Sequence, residues 1–188
     1  RLGPHAELVG RPGVLLGLHH AARHLRPDDL PADREMPVQR LAERFGERPF
    51  DVKPGARRWL QALRDARIPR AVASSTHRAE IERRLARADL LDFFQAVCGG
   101  DEVAHGKPAP DIYLLAVTRL GVAAPTTLAF EDSGHGALAA IAAGLDVVVV
   151  PDLKPAEPAW QSRSIAVLDS LEAAAAYSAA WFGIEVAA

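Results

Sequence analysis

Apolar residues follow two different patterns along the chain. Between residues 9 and 50 they recur at a helical period, in one segment behind Gly13 and a second that ends at Gly46, where a helix commonly ends. The leucines of the first segment are Leu15, Leu16, Leu18 and Leu25. Because no run in this part has the pattern of a strand, we predict a small helical subdomain over residues 1–50.

After Pro54 and Gly55 the pattern changes to short apolar runs that alternate with helical stretches. The strand-like runs are residues 68–73, 96–98, 127–130 and 146–150. The helical stretches are one that begins at Pro54, then residues 78–88, 110–120, 136–143 and 173–180. Residues 147–150 are apolar at every position, as in a strand covered by helices on both faces. We therefore predict an α/β fold for residues 51–188, a three-layer Rossmann-like core built on a parallel sheet.

Composition places the chain among ordinary globular proteins. It has 188 residues, of which 49% are hydrophobic and 24% charged, and its formal net charge is −2. No run approaches the roughly 18 apolar residues that a membrane span requires, and residues 1–11 lack the apolar core of a signal peptide. We therefore expect a cytoplasmic protein with no membrane partner. The single cysteine, Cys98, excludes an internal disulfide bond.

Charge is distributed unevenly between the two halves. Residues 1–94 hold 18 Lys and Arg against 13 Asp and Glu, whereas residues 95–188 hold 4 against 11. The simplest interpretation of the first half is a set of arginine-rich helix faces exposed to solvent. The basic residues form no dense block, aromatic residues make up only 6%, and nothing resembles a helix-turn-helix or a zinc finger. Nucleic acid is therefore not expected as a partner.

Polar residues follow the first predicted strand of the core, where a ligand crevice is expected in a parallel sheet. Ser74, Ser75 and Thr76 stand in a row before His77 and the next helix. Hydroxyls and free backbone N–H groups at the start of a helix favour an anion. A second interpretation also fits, in which Ser75 or Thr76 only caps the helix.

A lysine stands in the loop after the second predicted strand of the core. Lys107 is one of only three lysines in the chain, against nineteen arginines, and it lies between Gly106 and Pro108. A compact ammonium in a rigid turn is suited to a phosphate oxygen or a carboxylate. The glycine-rich spacing of a P-loop is missing, since a proline follows the lysine. The alternative is an exposed lysine in a turn.

Two adjacent carboxylates, Glu131 and Asp132, follow the third predicted strand of the core. At the end of a buried strand they repel one another and lose hydration, so they need a compensating cation. Mg²⁺ suits this position because it prefers oxygen ligands and takes one or two carboxylates together with phosphate oxygens. Asp132 could instead cap the following helix.

The three strand ends, in this order and spacing, resemble the haloacid dehalogenase superfamily of phosphohydrolases, in its subfamily with a helical cap. The sequence is similar to β-phosphoglucomutase-like and sugar-phosphatase members, and the resemblance covers essentially the whole chain. The segments that carry it are residues 52–55, 73–75, 105–113 and 130–133, followed by Gly136 and residues 143–144.

This resemblance implies a Mg²⁺-dependent phosphatase of small phosphorylated metabolites, with sugar phosphates expected, that acts through an aspartyl-phosphate. Ser74 and Ser75 would contact the phosphoryl group, and Lys107 would hold it beside the nucleophilic aspartate. Asp132, helped by Glu131, would bind Mg²⁺. The substrate contacts that the resemblance suggests are Arg11, Thr76 and His77.

One motif of the family is absent, because no two aspartates in this chain stand two positions apart. The Asp-x-Asp motif of the opening strand supplies the nucleophile, so we expect that strand and part of the cap to lie outside this sequence. A phosphosugar mutase is the nearest alternative, although such enzymes keep a cap lysine and no lysine precedes Lys53. A module that keeps the fold and only binds a ligand is the other. The sequence specifies neither the substrate nor the oligomeric state.

Overall fold

The computed structural model describes residues 13–16, 52–151, 160 and 162–186. The strands among these residues are β1 (Gly13–Leu16), β2 (Arg70–Ala73), β3 (Ala96–Cys98), β4 (Thr127–Glu131), β5 (Asp146–Val149) and β6 (Ala166–Val167). The α-helices of the same part of the chain are α1 (Ala56–Asp65), α2 (Arg78–Arg87), α3 (Asp111–Leu120), α4 (Gly134–Ala142) and α5 (Leu171–Phe182).

The six strands form one sheet in the order β3-β2-β1-β4-β5-β6, and every neighbouring pair is parallel. The chain first builds outward from β1 to β3 and then from β4 to β6 on the other side. In such a sheet the ligand crevice lies at the carboxyl ends of the strands, where the strand order reverses. Here that point lies between β1 and β4.

Helices cover both faces of the sheet. Residues of α1, α2 and α5 pack on one face, whereas residues of α3 and α4 pack on the other. In β5, Val148 belongs to the first of these two clusters, while Val147 and Val149 belong to the second. This alternation confirms the predicted α/β fold with three layers. None of the helices in the described residues is long and apolar enough to span a membrane.

The strand β1 corrects the prediction for the first part of the chain. Residues 13–16 were expected in a helical cap, with the core lacking its opening strand, but they lie between β2 and β4 in the centre of the sheet. Val14 and Leu16 pack on one face and Leu15 on the other. A run of four apolar residues fits a buried strand as well as a helix, so periodicity cannot distinguish them. The remainder of the predicted cap lies outside the described residues.

Strand β2 begins two residues later in the chain than the apolar pattern predicts. The strand starts at Arg70, which is only 1% exposed, rather than at Ile68. The guanidinium of Arg70 donates hydrogen bonds to the carbonyls of Phe93, at 2.7 Å, and of Leu63 and Ile68. Burial lowers the pKa of Arg70. The buried charge is tolerated because backbone carbonyls at the amino end of the sheet accept hydrogen bonds from the guanidinium.

The C-terminal helix is anchored to the sheet by aromatic residues. Trp59 of α1 and Trp181 of α5 both pack edge-on against Phe130, with ring centres 4.7 and 5.8 Å away. The indole N–H of Trp59 also donates a hydrogen bond of 2.8 Å to the hydroxyl of Ser178, which lies in α5. The predicted terminal helix is thus confirmed, and it forms part of the core.

Candidate active site

Three loops that the sequence singles out meet at the carboxyl edge of the sheet. The ammonium of Lys107, in the loop after β3, lies 2.7 Å from Oε1 of Glu131 at the end of β4. The same nitrogen lies 3.3 Å from the carbonyl oxygen of Ala73, the last residue of β2, directly before Ser74. The structure therefore brings the loops of Lys107, Ser74 and the acidic pair together at one edge of the sheet, beside the point where the strand order reverses.

Lys107 is held inside the protein. Its side chain is only 10% exposed and forms an ion pair with Glu131. The nitrogen also donates to the hydroxyl of Tyr113, 3.0 Å away. The peptide bond from Lys107 to Pro108 is cis. The alternative interpretation, an exposed lysine in a turn, is therefore wrong.

Glu131 is one of the most buried charged residues, with 2% of its side chain exposed. Its Oε1 accepts hydrogen bonds from Lys107 and from the hydroxyl of Tyr113. The other oxygen, Oε2, lies 3.5 Å from the hydroxyl of Ser133. A Cβ at Gly136 would come within 1.8 Å of that oxygen. Glycine at position 136 therefore lets the first turn of α4 pack against the carboxylate.

Tyr113 is a site residue that the sequence analysis missed. It lies in the first turn of α3 and is fully buried. Burial, and then the negative charge of Glu131, raises the pKa of its phenol well above the usual value. The hydroxyl therefore stays protonated and donates its hydrogen bond to Glu131. An aromatic residue on the apolar face of a helix looks like ordinary core, so a single sequence gives no signal for this role.

Asp132 follows β4 and does not cap the next helix. The N-cap of α4 is Ser133, whose hydroxyl accepts a hydrogen bond of 3.1 Å from the backbone N–H of Gly136. One carboxylate oxygen of Asp132, Oδ1, is buried and accepts no hydrogen bond within the described residues, although Asp132 makes other interactions. The capping interpretation of Asp132 is therefore wrong.

The loop after β2 holds its serine below the surface. Ser74 is 3% exposed, and its hydroxyl accepts a hydrogen bond of 3.2 Å from the backbone N–H of Thr76. Ser75 and His77 are exposed, and Thr76 is partly buried. Because the oxygen of Ser74 is the acceptor in this bond, its own proton is left to donate elsewhere.

The helix α2 is capped by a residue from the neighbouring loop. Its N-cap residue is His77, which makes no side-chain cap. The backbone N–H of Arg78 instead donates a hydrogen bond of 2.8 Å to Oδ1 of Asp101. Capping by Ser75 or Thr76 is therefore wrong.

Two consecutive glycines allow this contact between loops. A Cβ on Gly99 would lie 2.3 Å from the nitrogen of Arg78, and one on Gly100 would lie 2.4 Å from the carbonyl oxygen of Ser75. The N–H of Gly100 donates a hydrogen bond of 2.9 Å to the carbonyl of Thr76. The sequence analysis missed this feature, although a glycine pair directly after a strand indicates a close backbone approach.

Glu102 ties the loop after β3 to two helices. Its carboxylate accepts hydrogen bonds from Arg119 of α3, at 2.7 Å, from Arg78 of α2, at 3.3 Å, and from the backbone of Gly99, at 2.8 Å. The hydrogen bonds from Arg119 are the main reason that the pKa of Glu102 falls to about 2. The pKa of Arg119 is raised in turn. The loop that leads to Lys107 is thus fixed at its start.

The donor set at the end of β4 suits a magnesium ion only in part. Glu131 and Asp132 supply the oxygen ligands that Mg²⁺ prefers. Across the residues that the structure describes, no group of three or more His, Cys, Asp and Glu side chains could hold a metal. Mg²⁺ commonly binds through one or two carboxylates and completes its shell with water and phosphate, so two carboxylates remain compatible with it.

Two parts of the predicted site lie outside the described residues or outside the sequence. Arg11, a suggested substrate contact, belongs to the part that the structure does not describe. Directly after β1 the sequence reads Gly17, Leu18 and His19. The residues directly after β1, the strand between β2 and β4, therefore include no carboxylate, whereas the nucleophilic aspartate was expected on an opening strand outside this sequence.

Comparison with known proteins identifies the family. The family model of the haloacid dehalogenase-like hydrolases matches residues 6–144. Protein CbbY (plasmid) of Cupriavidus necator is 37% identical over 127 residues, which are 66% of this chain and 50% of that protein. A phosphorylated carbohydrates phosphatase of Thermotoga maritima is 38% identical over 117 residues, which are 61% of this chain and 54% of that protein.

A solved structure shares the fold. CbbY from Rhodobacter sphaeroides, crystallised in complex with phosphate, aligns with a TM-score of 0.67 and 22% identity, over 87% of this chain and 96% of that chain. The chain spans about half the length of the curated relatives it matches. Because the family model covers well over half of its residues, the chain belongs to the haloacid dehalogenase-like hydrolases.

Proposed function

We propose that this chain forms part of a Mg²⁺-dependent phosphatase that acts on small phosphorylated metabolites, sugar phosphates in particular. The observation that carries the proposal is the largely buried ammonium of Lys107, which Glu131 holds at the carboxyl edge of the sheet, 3.3 Å from the carbonyl oxygen of the residue that precedes Ser74. Phosphoryl transfer asks a protein mainly to position its substrate and to neutralise charge on the phosphoryl oxygens. A hydroxyl and an ammonium at one edge supply both.

Each residue has a separate task in this proposal. Ser74 donates a hydrogen bond from its hydroxyl to a phosphoryl oxygen, while its oxygen accepts the hydrogen bond from the backbone N–H of Thr76. Lys107 neutralises negative charge on the phosphoryl group, and Ser75 lies at the same loop. Asp132, helped by Glu131, would hold Mg²⁺, which when bound supplies positive charge to the phosphoryl oxygens. Thr76 and His77 would contact the rest of the substrate.

The nucleophile of this proposal is an aspartate that these 188 residues do not contain in the expected motif. Attack by such a carboxylate on phosphorus would form an aspartyl-phosphate and break the P–O bond to the substrate's alcohol, which leaves with a proton; water would then hydrolyse the aspartyl-phosphate to the carboxylate and inorganic phosphate. The name of the Thermotoga maritima relative, a phosphatase of phosphorylated carbohydrates, supports the substrate class.

Two other functions remain as alternatives. A phosphosugar mutase has the same residues at the strand ends, but the sequence has no lysine before Lys53 to hold a second phosphate. A module that binds phosphorylated ligands without turnover is favoured by one specific observation: the residues directly after β1, Gly17, Leu18 and His19, include no aspartate.

The test compares phosphate release by the natural full-length protein and by the 188-residue chain, with Mg²⁺ and a panel of sugar phosphates. We expect release by the full-length protein alone, and its loss in the Asp132→Asn variant. Conversion of β-glucose 1-phosphate to glucose 6-phosphate would favour the mutase. Tight phosphate binding without release in the full-length protein would favour the binding module. Turnover by the 188-residue chain would contradict a nucleophile from outside it.

A further inference from the structure

The hydroxyl of Tyr113 lies between the two charged groups at the centre of the site. Its oxygen is 3.0 Å from Nζ of Lys107, and it donates a hydrogen bond to Oε1 of Glu131. Both charged side chains also contact each other at 2.7 Å. Tyr113 is thus the third corner of a closed triangle of hydrogen bonds.

The directions of these hydrogen bonds follow from the groups themselves. An ionised carboxylate only accepts, so the phenol proton points to Glu131, and the phenol oxygen is left to accept from Lys107. The ammonium lies nearer to this oxygen, at 3.0 Å, than to the centre of the tyrosine ring, at 4.8 Å. The ammonium therefore makes a hydrogen bond to the hydroxyl in addition to its contact with the ring face.

The contacts of Lys107 match the three protons of its ammonium. The acceptors are Oε1 of Glu131 at 2.7 Å, the hydroxyl of Tyr113 at 3.0 Å and the carbonyl of Ala73 at 3.3 Å. The third contact is the longest, and its acceptor is the residue directly before Ser74. The proton that points to Ala73 is therefore the one that can turn to an anion beside Ser74 at the least energetic cost.

We propose that Tyr113 is a positioning residue, whose hydroxyl fixes the Lys107 ammonium against Glu131 so that its third N–H faces an anion at Ser74. Without this hydroxyl the ammonium keeps one side-chain acceptor in place of two. It can then rotate on its hydrogen bond to Glu131 and turn its third N–H away from the anion. The proposal deepens the proposed function and rests on it for the nature of the anion.

The chain offers a matched pair of variants, because it has only two tyrosines. Tyr113→Phe removes the hydroxyl from the site. Tyr177→Phe removes the other one, on α5, where the ring of Tyr177 stacks on Trp181 at 5.2 Å on the opposite face of the sheet. Binding of inorganic phosphate with Mg²⁺ is measured by calorimetry for both. We expect about tenfold weaker phosphate binding for Tyr113→Phe, because the Lys107 ammonium then loses about one charge-assisted hydrogen bond to the phosphate. Tyr177→Phe should not change phosphate binding.

A second readout follows the lysine itself. Only three lysines occur in the chain, so their side-chain nitrogens are separable in a ¹⁵N NMR spectrum. We expect the ammonium protons of Lys107 to exchange slowly with water in the wild type and in Tyr177→Phe, and quickly in Tyr113→Phe. A purely structural tyrosine would change stability without this selective effect. Wild-type exchange and wild-type phosphate affinity in a folded Tyr113→Phe protein would overturn the proposal.

The outcomes also separate this proposal from the proposed function. If the wild type fails to bind phosphate while the exchange of Lys107 still responds to Tyr113→Phe, the proposed function fails and the positioning role stands. If Tyr113→Phe does not fold, the proposal is tested by the exchange rate of the Tyr113 hydroxyl proton in the wild type. A slowly exchanging hydroxyl proton of Tyr113 that persists when phosphate is added supports the proposal, and a rapidly exchanging one contradicts it.

Discussion

Two glutamates near the candidate site each hold cations, but in different surroundings. Glu131 is 2% exposed and shares one oxygen between Lys107 and Tyr113. Glu102 is 19% exposed and accepts from two arginines and a backbone N–H. The buried pair of Glu131 and Lys107 lies at the carboxyl edge of the sheet, where a ligand is expected. The cluster around Glu102 instead links the start of the loop after β3 to α2 and α3. Burial therefore distinguishes the glutamate of the proposed site from the glutamate that links a loop to two helices.

The largest expected effect comes from removing the cation of the buried pair. Lys107→Met leaves Glu131 as an uncompensated buried charge, which costs about 3 to 5 kcal/mol of the free energy of unfolding. Urea denaturation measures this loss. Lys53→Met is the matched control and should change the free energy of unfolding far less. A loss for Lys107→Met as small as that of the control would contradict the account of the buried pair.

A smaller effect is expected where the backbone approaches the buried carboxylate. In Gly136→Ala the new Cβ would lie 1.8 Å from Oε2 of Glu131, so the carboxylate or α4 must shift. We expect a loss of about 1 to 3 kcal/mol in urea denaturation, together with weaker phosphate binding. In Gly106→Ala the Cβ meets nothing within 4 Å, and stability should stay close to that of the wild type. Equal losses in both variants would count against the close packing at Glu131.

The partly exposed cluster predicts a pH dependence of stability. The pKa of Glu102 in the folded protein is about 2, below the ordinary value of 4.5. Its stabilisation is therefore complete above about pH 4.5 and is lost as the pH falls through the folded pKa. Glu102→Gln should lower the free energy of unfolding at pH 7, because the arginines lose their carboxylate partner. The expected loss is only about 1 to 2 kcal/mol, since water screens the partly exposed arginines.

The same variant should also flatten the fall in stability between pH 4.5 and pH 2. Thermal denaturation across this range, for wild type and Glu102→Gln, gives the measurement. Parallel curves for the two proteins would show that other carboxylates cause the acid sensitivity.

The smallest effect concerns the cap that Asp101 supplies to α2. Asp101→Ala removes the acceptor for the N–H of Arg78 and should cost about 1 kcal/mol. Asp101→Asn keeps a side-chain oxygen at the same place and should retain most of the stability. Thermal denaturation of both variants tests this. Equal melting temperatures for Asp101→Ala and wild type would mean that the cap contributes nothing measurable.

The sequence predicted site residues that stand at the end of an apolar run or in the loop that follows it. Lys107, Ser74 and Glu131 were found in this way, because parallel strands bring their carboxyl ends to one edge. Tyr113 was missed because the contacts of its hydroxyl with Lys107 and Glu131 depend on the tertiary structure, and its ring otherwise resembles an ordinary core residue of a helix. The cap from Asp101 was missed because it comes from a different loop.

The central strand shows where periodicity fails. Gly13 to Leu16 satisfies a helical and a strand pattern equally, and only the partners on both sides decide between them. The short edge strand β6, with two residues, is too brief to produce a pattern. The roles of Ser74, Lys107 and Asp132 stay predictions, since they depend on a bound phosphoryl group and Mg²⁺.

The most direct test of the central claim is an NMR titration of the chain with inorganic phosphate in the presence of Mg²⁺. The account predicts that the backbone amides of Ser74 and Asp132 and the side-chain nitrogen of Lys107 shift along one binding curve. Shifts of the three along separate curves, or confined to residues away from the carboxyl edge of the sheet, would contradict it.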